Sequence, residues 1–154
     1  MDFVSAAIHE NDPDLVFLCR ALADDRIPES KDGLLRDIQI EYRTGNFSVA
    51  FTKLRQFLDA RGLNTGRWEP DRGAFQVLRR AKVTQGALAS AIGVSQSAVS
   101  QFEKGRTTLS LARLLLAAAF FEVQPNAIII TLRGKANQAE VVRIDVRGAS
   151  SLKS

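Results

Sequence analysis

The sequence predicts a mainly α chain in three parts: a helical N-terminal domain over residues 1–66, a compact helical domain over 71–124 and a β-hairpin over 126–148. Three observations lead there. Apolar residues recur at helical spacing through residues 1–63, and a threonine-capped helix meets a serine-capped helix across Gly93. After Pro125 the apolar spacing shortens to two, the period of a strand.

Composition narrows the function classes. A chain of 154 residues, 45% of them apolar, is long enough to bury a core without covalent staples. Cys19 is the only cysteine, which rules out an intrachain disulfide framework, and on an apolar helical face it reads as a small core residue. His9 is the only histidine, so one chain cannot assemble a His/Cys metal cluster or a Cys-His pair, and no glycine-rich phosphate loop occurs. Adjacent acids such as Asp24 and Asp25 read as solvated surface. The expectation is a non-enzyme with no cofactor, no metal and no catalytic residue. The longest apolar run, Leu114 to Phe121, is eight residues, too short for a membrane span. No charged-then-apolar leader opens the chain, so the expected location is cytoplasmic.

In the N-terminal part, Asp12-Pro13-Asp14 is a helix start: proline is tolerated at the first helical position and acids suit the positive end of the dipole. Leu15, Leu18, Cys19 and Leu22 form its apolar stripe. Ile27-Pro28-Glu29-Ser30 breaks the pattern, and Leu34, Leu35, Ile38 and Tyr42 begin a second helix that Gly45 and Asn46 close. Phe47 to Ala60 is the third, with Phe47, Phe51, Leu54, Phe57 and Leu58 on one side. Asn64 to Pro70 is turn-rich and reads as a linker, with Trp68 as its one anchor.

The central part opens with Phe75, Leu78 and Val83 facing inward, and with Arg79, Arg80 and Lys82 expected on the exposed side. Thr84 caps a helix over Gln85–Ile92 whose Leu88, Ala89 and Ile92 make a buried stripe. Gly93 ends it, because glycine takes φ > 0 without penalty; Val94 plugs the corner, and Ser95 caps a second helix from Gln96 to Lys104. On that helix Val99 and Phe102 share one face, while Gln96, Ser97, Ser100 and Gln101 lie on the others. Amide side chains can offer a donor and an acceptor together to adenine N6 and N7, and serine serves a base edge or a phosphate.

The run Thr84 to Val123 carries T-Q-x-x-L-A-x-x-x-G-V-S-x-x-x-V-S-x-F-E-x-G followed by S-L-x-x-L-L-x-x-A. This pattern resembles the Cro/C1-type (XRE) helix-turn-helix family of DNA-binding regulators, without a gap over about forty residues. The resemblance implies a five-helix Cro/C1-like domain over 71–124 that binds double-stranded DNA. It implies base readout by Gln96, Ser97 and Gln101, and phosphate contacts from Gln85, Ser100, Lys104 and Arg106, with Arg79 and Arg80 added. It also implies an internal partner for Glu103, for which Arg79 is the candidate. The chain departs from the family pattern at Leu109, where a proline is common, at Glu122, where a glycine often closes the helix, and at Gly86, which costs roughly 1 kcal/mol against alanine inside a helix.

After Pro125, Ile128, Ile130 and Leu132 alternate with Ile129, Thr131 and Arg133, and Val142, Ile144 and Val146 alternate with Arg143, Asp145 and Arg147. A lone two-stranded hairpin is marginal in water, so its apolar face needs cover from this chain's helices or from a second copy. The second copy is preferred, because readers of this class act as dimers. Charge divides accordingly: −3 over residues 1–70, +4 over 71–125 and +3 over 126–154. Positive charge lies with the motif, as phosphate contact requires.

The expected function is a sequence-specific transcriptional regulator, a homodimeric repressor on a palindromic operator. The alternative rests on Asp12 to Leu15 and Lys53 to Leu58, which are faintly similar to small antidote proteins. It is an antitoxin-like autoregulator whose N-terminal domain binds a partner protein.

Overall fold

The computed structural model describes residues 12–132. Helix α1, Pro13–Leu22, starts as the Asp-Pro-Asp signal requires: the Asp12 carboxylate accepts the backbone N–H groups of Asp14 and Leu15 at 3.0 and 3.2 Å. Helix α2, Gly33–Arg43, is capped in the same way by Asp32, and α3, Phe47–Arg61, ends at Gly62. Most of the predicted stripes are buried: Leu15, Leu18, Cys19 and Leu22 from α1; Leu35, Ile38 and Tyr42 from α2; Phe51, Leu54 and Phe57 from α3, while Leu34, Phe47 and Leu58 are half-buried at the edge of the core. Gln39 is fully buried among them and stays satisfied, donating to the carbonyls of Leu22 and Pro28 and accepting from the Ser30 N–H at 2.8 Å. It therefore pins the α1–α2 loop onto α2.

A 3₁₀ turn over Leu63–Thr65 leads into strand β1, Trp68–Pro70. Four helices follow: α4, Arg72–Lys82; α5, Gln85–Ile92; α6, Gln96–Glu103; and α7, Leu111–Phe120. Thr84, Ser95 and Ser110 cap the last three, each side-chain oxygen accepting the N–H three residues on. A second 3₁₀ turn, Pro125–Ala127, precedes strand β2, Ile129–Thr131.

Two expectations change here. The central part has four α-helices rather than five. Glu122, at φ 60°, stops α7, and Pro125 starts a single 3₁₀ turn before the chain extends into β2, which leaves no length for a fifth helix. The stretch read as a linker contains a strand: β1 pairs antiparallel with β2 in the register Trp68↔Thr131, Glu69↔Ile130, Pro70↔Ile129. Pro70 tolerates its place because it ends the strand and has no N–H to pair. The first strand of the expected hairpin thus finds its partner ahead of the central helices. The second apolar run, Val142 to Val146, lies outside the described residues, as does His9.

One apolar core runs through both helical parts, with α1 packed on α7. Polar links reinforce that contact. The Arg113 guanidinium of α7 stacks on the Phe17 ring of α1 at 4.5 Å, and the Gln124 amide donates to the Lys31 carbonyl at 2.6 Å. Among the described residues, no helix is long and apolar enough to cross a membrane.

Candidate nucleic-acid interface

The site is built around the corner between α5 and α6. Gly93 closes α5 at φ 77°, where a β-carbon would be strained, and its carbonyl accepts Arg113 Nη1 at 2.9 Å. The chain then turns and Ser95 opens α6. Val99 and Phe102 are fully buried, and the Phe75 ring meets Phe102 at 4.8 Å and Phe121 at 5.5 Å in edge-on geometry. Burial of Val99 and Phe102 sets which face of α6 turns to the core and which to solvent. Taking about 100° per residue, Gln96, Ser97, Ser100 and Gln101 fall within an arc of about 140° opposite those two anchors. Gln96 and Ser97 are exposed, and Ser100 and Gln101 are partly so.

The far end of α6 is held by an ion pair. Arg79 Nε and Nη2 grip the two Glu103 carboxylate oxygens at 2.7 and 2.9 Å, the bidentate geometry that a planar guanidinium favours. Burial pushes the Glu103 carboxyl up, yet the hydrogen bonds from Arg79 and Gln85 and the charges of Arg79 and Arg80 outweigh it and leave the group below its ordinary range. The hydrogen bond to Glu103 likewise raises Arg79, against the opposing effect of burial. This pair ties the end of α4 to the end of α6, and the Gln85 amide, donating to Glu103 at 3.0 Å, adds the start of α5.

The sequence-derived site residues therefore divide. Gln96, Ser97, Ser100, Gln101, Lys104 and Arg106 come together along the outer face and the end of α6, and Arg80 is exposed on α4. Arg79 does not lie on the exposed side: only 11% of its side chain is accessible, and its guanidinium is spent on Glu103 and the Val83 carbonyl. The acid that claims it, 24 residues away, is the partner that the family resemblance implied and that residue spacing on α4 does not reveal. Gln85 also faces inward to Glu103, although its amide nitrogen carries a second N–H.

Arg72 was missed in the sequence. Its Nη1 donates to the carbonyls of Phe102 at 2.6 Å and Thr107 at 2.8 Å, and its guanidinium lies over the Phe102 ring at 4.5 Å. One signal was present: a cation at the first position of a helix opposes the dipole, so something else must hold it there.

The corner, the polar outer face and the buried Arg79–Glu103 pair coincide with a match of residues 76–128 to the sequence model of the helix-turn-helix family. The central segment is a helix-turn-helix domain of the Cro/C1 type. No curated protein and no solved structure matches the chain. The family is one of DNA-binding transcriptional regulators, and in the Cro/C1-type domain of this chain α5 and α6 are the helix-turn-helix pair. The segment before residue 76, including α1 to α3, lies outside the match.

Proposed function

We propose that the chain is a homodimeric repressor that acts in the cytoplasm by occupying a near-palindromic operator. Each Cro/C1-type domain inserts α6 into a major groove, where Gln96, Ser97 and Gln101 meet base edges. Lys104, Arg106, Ser100 and Arg80 hold flanking phosphates, and the spare N–H of Gln85 reaches one more. Arg79 supports the readers through Glu103 rather than touching DNA. The observation that carries this reading is the four-residue polar face of α6, held outward by buried Val99 and Phe102. A single short helix covers too few base pairs for a useful site. Two copies spaced by one helical turn, roughly 34 Å, supply the rest.

Selection of bound duplexes from a random DNA library by the purified protein tests this reading. The expected product is a motif with two inverted half-sites whose centres lie about one helical turn apart. Recovery of unrelated sequences, or of a single half-site, overturns the operator and dimer assignments.

A further inference from the structure

We propose that Arg72 is a positioning residue for DNA binding, fixing the turn at the end of α6 so that Lys104 and Arg106 stand where phosphates meet them. The inference rests on the DNA reading above and names a further residue for that site.

The end of α6 has a defined geometry. Gly105 takes φ 77°, its N–H donates to the Phe102 carbonyl at 3.0 Å, and the Arg106 N–H donates to the Gln101 carbonyl at 2.9 Å. Those two bonds make a Schellman motif, which reverses the chain after the helix. The motif alone does not settle where the following residues run, since Lys104 to Thr108 are exposed and outside any helix or strand. Arg72 supplies that constraint. One nitrogen bridges Phe102, inside the motif, and Thr107, beyond it, so the turn is closed across both of its ends. The guanidinium carbon lies over the Phe102 ring at 4.5 Å and cannot swing away without losing that cation–π contact. Its positive charge also sits at the negative end of the α6 dipole, which offsets its unfavourable place at the start of α4.

The turn so closed carries two exposed cations, Lys104 and Arg106, directly after the base-reading face. A phosphate contact depends on where the cation is held, and a freed turn spreads both over many positions. Arg72 itself is partly buried and its Nη1 is committed to carbonyls, so its effect on DNA passes through the turn.

The test is a double-mutant cycle on the full chain, using a labelled duplex taken from the selection and measured across a range of salt concentrations. R72Q is expected to bind about tenfold more weakly, with a log Kd against log salt slope shallower by about one. In an R106A background the same change is expected to cost less than about threefold, because the contact it positions is already gone. R72K, which keeps the charge but loses the planar guanidinium over the ring and its two-carbonyl bridge, guards against a folding failure of R72Q. It is expected to weaken binding by about threefold and to speed amide exchange at Gly105 and Arg106 without changing exchange in α5. Losses that multiply in the double variant overturn the proposal, as do folded R72Q or R72K proteins that bind like the wild type. A wild type that binds no duplex removes the DNA reading and this inference together, whereas a wild type that binds with Arg72 and Arg106 uncoupled removes only the inference.

Discussion

Glu122 holds a backbone angle of φ 60°, a left-handed conformation that a residue with a β-carbon adopts at a cost of about 1 kcal/mol or more. It stands where the Cro/C1 pattern commonly has glycine, so the departure noted in the sequence is also a point of strain. Glu122→Gly is expected to raise stability by about 1 kcal/mol, less the extra entropy glycine has when unfolded, as read from chemical denaturation; a destabilised variant would show that the glutamate side chain offsets its backbone. Gly86 is the reverse case. A β-carbon there would meet only the Gln96 carboxamide oxygen at 3.6 Å, an ordinary contact with a flexible group. Gly86→Ala should therefore gain up to about 1 kcal/mol of helix propensity. Thermal melting checks it, and a lowered midpoint would mean that Gln96 needs the space.

Among the elements, α6 depends on the Arg79–Glu103 pair. The Glu103 carboxyl is held below its ordinary value of 4.5, so its contribution to stability is fully present above that value and is lost as pH falls through the depressed one. Glu103→Gln leaves the Arg79 guanidinium buried without its counter-charge and is expected to cost about 3 kcal/mol at neutral pH. It should also flatten the acid limb of the stability profile. An acid limb unchanged in the variant would assign that loss to other carboxylates. Elements were legible where their causes are local: Asp12, Thr84 and Ser95 cap helices whose first N–H groups lie within three residues, and the apolar stripes of α1 to α3 face the core, with only Leu34, Phe47 and Leu58 half-buried. The Arg79–Glu103 pair was legible only through the family resemblance, since residue spacing on α4 puts Arg79 on the exposed side; Arg72 was not legible, because the carbonyls that claim it arrive from 30 and 35 residues away. Strand β1 was hidden for the same reason: three residues ending in proline read as a turn until Ile129–Thr131 lies beside them.

At the scale of the whole molecule, the chain's two helical parts share one core, with α1 against α7 and Gln124 bonded to Lys31. Trp68, on β1 between the two, is expected to report the same unfolding transition by fluorescence as the helices do by circular dichroism. Leu115→Ala, which empties a fully buried site in α7, should move both curves together by about 3 kcal/mol. Separate transitions would show that α1 to α3 form an independently stable unit. A shared core also means that a partner bound on α1 to α3 would meet a surface fixed relative to the DNA-reading helix.

The central claim is that the outer face of α6 reads DNA sequence. It is tested most directly by comparing the base preference of the wild type with that of Gln96→Ala and Gln101→Ala, with Arg106→Ala measured beside them at one salt concentration. The account predicts that each glutamine variant loses roughly 1 to 3 kcal/mol on the preferred duplex and relaxes its choice at one position of each half-site, while Arg106→Ala weakens all duplexes alike. Base preference that survives in both glutamine variants would contradict it.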